Sequence, residues 1–131
     1  MGNEAICIET PTRFRRYTIA AGGIAFGTLM KLVDPATAAA TAADNDPFAG
    51  IAFEEVTTTD FANGKTEIVV AKDGVWDIRA SAAVAIGERV SISGVNTVTK
   101  VAAADLLFAN VGVSEEACAG AETIRINVWA H

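Results

Sequence analysis

The sequence contains little of the chemistry that most enzymes use. Its one histidine is His131, the last residue, so a Ser-His-Asp or Cys-His group would have to include a poorly anchored position. Its two cysteines, Cys7 and Cys118, are far apart and lack the spacing of a metal site. No glycine-rich nucleotide-binding loop is present either. We therefore expect a protein that is not an enzyme, with no catalytic residues, no metal and no cofactor.

Long apolar runs are also missing. None approaches ~18 residues, and no charged segment followed by an apolar one opens the chain. We therefore expect no membrane partner and no standard secretion signal. In a reducing cytoplasm Cys7 and Cys118 would be free thiols, and a disulfide that ties Cys7 to the body of the protein is the alternative.

Basic residues are scarce, with 10 Lys and Arg against 16 Asp and Glu and a net charge of −6. This balance argues against nucleic acid as a partner, because binding to phosphates requires a positive surface. Residues 1–16 are the exception, since they carry Arg13, Arg15 and Arg16 against two acidic residues. We interpret residues 1–16 as an extended N-terminal arm, which either docks on an acidic partner surface or remains solvated.

The rest of the sequence contains the same unit twice. A shift of 60 places aligns 24–30 with 84–90 and, without a gap, 48–53 with 108–113. A four-residue deletion then aligns Gly64, Ile68 and Val70 with Gly120, Ile124 and Ile126. Two copies, about 24–70 and 84–126, are too few for a solenoid. We therefore interpret residues 17–131 as a single β domain made of two similar halves.

Short apolar runs separated by turn residues predict about ten strands and an all-β, compact barrel or sandwich. Lys72-Asp73-Gly74 and Gly94-Val95-Asn96 each indicate a hairpin. Residues 36–43 are rich in alanine, which favours helix, but they align with the β-branched residues 96–103, so we expect a strand. Short helical turns near 58–62 and 103–107 are the only helical expectation.

Two acidic motifs have simple structural interpretations. Asp44-Asn45-Asp46 lacks the ligand spacing of a calcium loop, and Pro47 follows at once, so a turn is expected. Glu54-Glu55 and Glu115-Glu116 occupy similar points of the two repeats. Because neighbouring strand residues point to opposite faces, each pair is expected to mark a solvated strand end and not an acid–base pair.

The last strand has one unusual residue. Residues 123–129 alternate, with Ile124, Ile126 and Val128 on one face and Trp129 on the other, beside Arg125. An aromatic ring on an exposed face is typical of a subunit contact. Coverage of the ring by the chain's own C-terminal tail is the alternative.

The pattern in residues 74–78, 83–90, 97–101, 108–113 and 123–128 resembles a family of small tailed-bacteriophage head proteins. Residues 27–32 and 48–52 of the first half are similar to the same family. Its members are understood as capsid decoration, or cement, proteins. The resemblance implies a compact β domain that forms a homotrimer on the outer surface of the mature head, binds the major capsid protein and stabilises the shell. It also implies localisation to the virion, after synthesis in the host bacterial cytoplasm.

These interpretations assign contacts to specific residues. We expect capsid contact at Arg13, Phe14, Arg15 and Arg16. We expect the trimer interface at Arg125 and Trp129. A small-ligand or carbohydrate-binding β module is the alternative function, with Trp76, Trp129 and Tyr17 as the aromatic residues available for it.

Overall fold

The computed structural model describes residues 4–101 and 109–130. These residues form eleven strands and one short helix. The elements are β1 (Ile6–Glu9), β2 (Phe14–Thr18), β3 (Leu29–Asp34), β4 (Thr37–Ala40), β5 (Phe48–Ala52), α1 (Thr58–Ala62), β6 (Glu67–Ala71), β7 (Asp73–Ala80), β8 (Arg89–Gly94), β9 (Thr97–Lys100), β10 (Asn110–Ser114) and β11 (Glu122–Trp129). The all-β prediction is confirmed. No helix in this part of the chain is long and apolar enough to cross a bilayer.

The strands close into two barrels of five strands each. The first barrel has the order β2-β4-β3-β5-β6, and β6 returns to β2. The second has the order β7-β9-β8-β10-β11, and β11 returns to β7. In each barrel one parallel pairing, β2 with β4 or β7 with β9, joins strands that are otherwise antiparallel. The repeat therefore corresponds to two copies of one closed sheet.

The register of the strands locates the repeat more accurately than the sequence does. Met30 pairs with Gly50 in the first barrel, and Val90 pairs with Gly112 in the second. The ungapped alignment had placed Asn110 at the position of Gly50, and this part of the prediction is wrong by two residues. The physical reason is that the connection from β9 to β10 is two residues longer than the one from β4 to β5.

The predicted equivalence of Ile68 and Val70 with Ile124 and Ile126 is confirmed, but the deletion in the preceding loop is six residues and not four, because β10 lies two residues later than the ungapped alignment placed it. Ala52 pairs with Val70, and Ser114 pairs with Ile126 in the equivalent place. The repeat also extends further towards the N-terminus than position 24. Tyr17 pairs with Ile68 as Ile78 pairs with Ile124, so β2 and β7 are equivalent strands.

The predicted hairpin at Lys72-Asp73-Gly74 is wrong. β6 pairs with β2 and β5, and β7 pairs with β1, β11 and β9, so Lys72 is a single-residue crossing between the barrels. Glycine at position 74 lets β1 approach β7 closely, since a Cβ there would lie 2.9 Å from the carbonyl oxygen of Glu9. The side chain of Asp73 binds Thr12 and the backbone of Arg13 and does not form a turn of its own.

The other local predictions have mixed outcomes. The hairpin around Gly94-Val95-Asn96 is confirmed by the antiparallel pairing of β8 with β9. The middle of the alanine-rich segment 36–43 is a strand, β4 (Thr37–Ala40), as the repeat indicated, and the strand ends three residues earlier than predicted. The helical turn at Thr58–Ala62 is present, capped by Thr57. The turn expected at 103–107 lies outside the described residues.

The N-terminal segment does not form a separate arm. β1 pairs antiparallel with β7 of the second barrel, and β2, which begins at Phe14, is a strand of the first. The expected boundary after residue 16 therefore cuts through β2. The physical reason is that residues 14–18 run beside β6 in continuous register, from Phe14 opposite Ala71 to Thr18 opposite Glu67.

Two clusters of buried side chains form the core. The interior of the first barrel contains small and medium residues around Tyr17, Met30, Ile68 and Val70. The larger cluster fills the second barrel around Trp76 and continues into the contact between the barrels. There the first barrel contributes Leu29, Phe48, Ile51 and Ala71. The free energy gained by burying apolar side chains is roughly proportional to the apolar area removed from water. This shared cluster therefore stabilises the contact between the two halves.

Candidate interaction surfaces

The four residues expected to contact a partner separate into two groups. Arg13 is turned towards its own chain. Its guanidinium carbon lies 4.0 Å from the ring centroid of Trp129, and its Nη2 donates to the carbonyl oxygen of Ala130 at 3.2 Å. Its Nη1 is buried and has no hydrogen-bond partner among the described residues. Arg13 therefore ties the start of β2 to the end of β11 and is not presented to solvent like its neighbours.

Asp73 also binds the segment that contains Arg13. Its carboxylate accepts hydrogen bonds from the Thr12 backbone nitrogen at 2.8 Å, the Thr12 hydroxyl at 2.7 Å and the Arg13 backbone nitrogen at 3.0 Å. Burial of Asp73 raises its pKa, but the bonds from Thr12 and Arg13 and the charge of Arg13 outweigh burial, so the net pKa lies below its usual value. The ionised carboxylate thus stabilises this corner.

Phe14, Arg15 and Arg16 are exposed on β2. The Arg15 guanidinium donates to the carbonyl oxygen of Pro35 at 3.1 Å and lies 5.2 Å from the Tyr17 ring. Arg16 lies 3.8 Å from the carboxylate of Glu67, a contact that solvent screens because both side chains are more than half exposed. With Val69, residues 14–16 line a shallow depression. This surface is both apolar and basic.

An aromatic cluster extends this surface towards the second barrel. The ring of Phe53 lies 5.2 Å from Phe14, 5.0 Å from Phe26 and 6.2 Å from Trp76. These separations fall in the range of favourable aromatic contacts. Trp76 is fully buried, whereas Phe14 and Phe26 are 47% and 43% exposed. The cluster therefore begins in the core and ends at an apolar surface, a feature that sequence reasoning missed because the three phenylalanines belong to separate segments.

Arg125 and Trp129 lie on the outer face of β11, as the alternation predicted. Arg125 forms an ion pair with Asp77 at 3.3 Å. Trp129 remains 56% exposed although Arg13 covers one face of its ring, so the covering group comes from the N-terminal segment. Ile6 of β1 pairs with Asp77 of the neighbouring strand β7 and is also exposed. The expected trimer residues thus sit on a mixed apolar and charged sheet face.

The two glutamate pairs have equivalent structural roles. Glu54 accepts a hydrogen bond from the backbone nitrogen of Val69 at 2.9 Å, and Glu116 accepts one from that of Arg125 at 3.0 Å. Since β6 and β11 are equivalent strands, these are the same contact in each barrel. One carboxylate of each pair therefore extends the strand ladder and accepts a backbone hydrogen bond.

Lys72 was not identified from the sequence. It is 5% exposed, and its Nζ donates to the Tyr17 hydroxyl at 3.0 Å and to the carbonyl oxygen of Ala49 at 2.8 Å. The equivalent position in the second barrel is Val128, an apolar core residue. In the sequence, the only sign of this role is that a lysine stands where the second repeat has a valine. A buried cation so bonded stabilises one arrangement of the crossing between barrels.

The other polar motifs have structural roles. The Asp46 carboxylate accepts from the backbone nitrogens of Ala42 and Ala43 at 2.8 and 2.9 Å, which confirms the predicted turn. Both cysteines are free, and burial raises the pKa of the Cys7 thiol. In the described ranges, 4–101 and 109–130, no three His, Cys, Asp or Glu side chains are grouped as metal ligands.

No protein-family model matches the chain, and none of the curated proteins is significantly similar to it in sequence. The positions of the aromatic residues bear on the alternative of a sugar-binding module. Of the three aromatic residues named for that alternative, Tyr17 and Trp76 are buried and Trp129 is exposed but partly covered by Arg13. Two of the three are therefore unable to stack on a sugar.

Proposed function

We propose that the protein is a structural capsid decoration (cement) protein of a tailed bacteriophage, which binds the outer surface of the mature head as a trimer. The resemblance over about residues 17–129 suggests this class. The observation that carries the proposal is the exposed apolar and basic surface of Phe14, Arg15 and Arg16, continuous with the aromatic cluster. On a chain of net charge −6, such a surface is the natural place for contact with an acidic partner.

The mechanism would be stabilisation by mass action. A protein that binds only the expanded lattice shifts the equilibrium of the shell away from forms that do not bind it. Three copies joined in a trimer would contact several capsid subunits at once, which raises the overall affinity through effective concentration. Stable closed barrels suit this role, because no part of the proposed mechanism requires the domain to change shape.

The proposal is tested by cosedimentation of the purified protein with expanded shells from the phage that encodes it. Removal of residues 1–14 would be a poor test, because it also deletes β1 and the first residue of β2. Replacement of Arg16 by glutamate is cleaner, and Lys100→Glu, an exposed charge reversal on β9 of the second barrel, is the matched control. Arg16→Glu should weaken binding at least about tenfold, and Lys100→Glu should not. Failure of the unaltered protein to bind would refute the proposal.

The trimer is tested separately by light scattering coupled to size-exclusion chromatography. A stable species of three times the 13.6 kDa chain mass is expected. Trp129→Ala should shift it towards monomer, since large aromatic residues dominate such contacts. Val33→Ala is the control, because Val33 on the first barrel is 57% exposed, close to the 56% of Trp129. A monomeric unaltered protein would rule out the trimer.

A further inference from the structure

The two barrels differ at one strand edge. In the second barrel, β7 has β11 along one side. On its other side, its C-terminal half pairs with β9 through Arg79 and Ala80, and its N-terminal half pairs with β1 through residues 75–77. Both sides of β7 are therefore paired over most of its length. The four residues of β1 are an added strand that is not part of the closed barrel.

In the first barrel the equivalent edge is not covered by any strand of residues 4–101 and 109–130. β2 has β6 along one side for its whole length. On its other side it pairs with β4 at Thr18 alone, through the parallel bridge to Thr37. Within the described residues no strand pairs with 14–16 on that side, although 75–77, the equivalent residues, pair with β1. The repeat thus contains two sites for an added strand, and the residues that the structure describes fill one of them.

The backbone groups at the open edge can be identified. Thr18 donates its N–H to Ala36 on the β4 side, and Ile19 donates to Thr66 on the β6 side. Because successive strand residues direct their backbone groups to opposite edges, Phe14 and Arg16 face the same way as Thr18. Their N–H and C=O groups are therefore directed to the open edge, as those of Val75 and Asp77 are directed to β1.

We propose that this edge accepts an extended, acidic segment of a partner protein as an added antiparallel strand, as β7 accepts β1. The inference rests on the proposed function in that the capsid surface would supply the segment. Main-chain bonds to an open edge provide affinity in such additions, and side chains provide selectivity. Arg15 and Arg16 favour carboxylates on the added strand, and the exposed ring of Phe14 favours an apolar residue beside them.

The strand that already occupies the equivalent site is short and extended. Its sequence, Ile6-Cys7-Ile8-Glu9, is mostly apolar and ends in a carboxylate, and its partners on β7 include no arginine, so the preference for acidic residues comes from Arg15 and Arg16 of the open edge. A second copy of the chain is less suited to this site if it pairs through its own β2 edge. Antiparallel pairing of two β2 edges would place Arg15 and Arg16 of one copy beside those of the other, and like charges across a strand pair are destabilising.

Amide hydrogen exchange, measured residue by residue by NMR, tests the proposal. In the dilute free protein, the Arg16 amide should exchange quickly and the equivalent Asp77 amide slowly. The probe is a synthetic peptide with the sequence of residues 4–10 in which serine replaces Cys7. At about 1 mM it should slow Arg16 exchange about tenfold, which corresponds to a Kd of about 0.1 mM, and leave Asp77 unchanged. Unchanged Arg16 exchange would overturn the proposal.

A charge exchange provides the matched control. A second peptide, with lysine in place of both glutamates, should protect the Arg16 amide less than the first. In the Arg15→Glu/Arg16→Glu variant the order of the two peptides should reverse, and a slow Tyr17 amide shows that β2 remains folded. Equal protection by both peptides in both proteins would refute the preference for an acidic strand.

The same exchange measurement in the presence of expanded phage shells separates strand addition at β2 from the proposed decoration function. If shells bind and the residue 16 amide becomes protected, the inference is supported. If shells bind and that amide still exchanges quickly, strand addition is wrong and the proposed function stands. If shells do not bind while the acidic peptide protects Arg16, the proposed function fails and the open edge is still a strand-binding site. If protection rises with protein concentration alone, a second copy occupies the edge and the proposed occupant is wrong.

Discussion

The guanidinium of Arg13 stacks on the ring of Trp129 at 4.0 Å and joins the segment between β1 and β2 to the last strand. The two residues are 116 positions apart in a chain of 131. The same guanidinium donates to the carbonyl oxygen of Ala130, so the contact is fixed in orientation as well as in distance. The N-terminal segment is thereby fixed to the second barrel on one side and to the first barrel through β2 on the other.

This contact should be worth more than an ordinary surface pair. In a double-mutant cycle with Arg13→Ala and Trp129→Ala, we expect a coupling of about 0.5–2 kcal/mol in the free energy of unfolding, because a stacked, partly desolvated cation interacts strongly with an aromatic face. Urea denaturation of the four proteins measures it. The cycle must be run at a protein concentration where all four have the same oligomeric state, since Trp129 is also a proposed trimer residue.

The Arg16–Glu67 pair is the internal control for this cycle. Its atoms are 3.8 Å apart and both side chains are mostly exposed. Its coupling should therefore be smaller, about 0–0.5 kcal/mol. A coupling for Arg13 and Trp129 no larger than that of the control pair would show that the stack does not hold the segment.

Gly27 and Gly87 are equivalent positions with different surroundings. Both have positive φ, +90° and +85°, so alanine is strained at either one. A Cβ at Gly27 would lie 2.3 Å from the carbonyl oxygen of Ala5, whereas nothing lies within 4 Å of one at Gly87. Gly87→Ala should cost about 1 kcal/mol of stability, and Gly27→Ala about 1–3 kcal/mol more.

The difference should also appear locally. Ala5 donates its N–H to the carbonyl oxygen of Gly27 at 2.8 Å, at the start of β1. Gly27→Ala should therefore speed hydrogen exchange of the Ala5 amide, and Gly87→Ala should not. Equal unfolding free energies for the two variants would show that the approach of Ala5 to Gly27 is not close in solution.

The strands could be predicted from the sequence because their signals are local and repeated. The alternation of Ile124, Ile126 and Val128 with polar residues gives one buried face, and the structure buries those three residues. Within the segment 36–43, the strand at Thr37–Ala40 was predicted only through its partner in the second repeat. Helix propensity alone would have misassigned it, because cross-strand pairing with β3 outweighs the preference of alanine.

The path of the chain between barrels could not be predicted, because it depends on contacts between distant residues. Lys72-Asp73-Gly74 has the composition of a tight turn, yet Asp73 is bound by Thr12 and the backbone of Arg13, about sixty residues earlier. Arg13 was grouped with Arg15 and Arg16 as one basic arm. Only the tertiary structure separates an arginine stacked on Trp129 from two that face solvent.

The hydrogen bonds that Asp73 accepts from Thr12 and Arg13 should make the stability of the protein depend on pH. Its pKa is lower in the folded protein than in the unfolded chain. The carboxylate therefore contributes stability that is fully present above the unfolded value, near 3.8, and is lost as pH falls through the lower folded value. The unaltered protein should lose Tm more steeply than Asp73→Asn on acidification below about pH 4.

At neutral pH the same Asp73→Asn variant should be less stable by about 1–3 kcal/mol, since a neutral amide is a weaker acceptor for three donors. Thermal unfolding followed by circular dichroism between pH 2.5 and 7 measures both effects. Asp34→Asn is the comparison, because bonds from Ala36 and Thr37 also lower the pKa of Asp34, but at an exposed turn. Parallel Tm profiles for Asp73→Asn and the unaltered protein would contradict the role of the carboxylate.

Asn96 is a residue of the second barrel whose polar groups contact the first barrel. Its side-chain oxygen accepts a hydrogen bond from the buried backbone nitrogen of Leu29 at 2.8 Å, and its own backbone nitrogen donates to the Thr41 hydroxyl at 3.2 Å. Its φ of 54° also lies in the left-handed region, which asparagine tolerates better than most residues. The equivalent residue of the first barrel is Ala36, which is exposed and makes no such contact.

Two replacements separate the hydrogen bond from the backbone conformation. Asn96→Gly keeps the left-handed conformation accessible and removes the acceptor, so the buried N–H of Leu29 loses this bond at a cost of about 1–3 kcal/mol. Asn96→Ala adds about 1 kcal/mol of backbone strain. Urea denaturation should therefore rank stability as Asn96, then Gly, then Ala. A glycine variant as stable as the unaltered protein would show that the bond to Leu29 does not hold the barrels together.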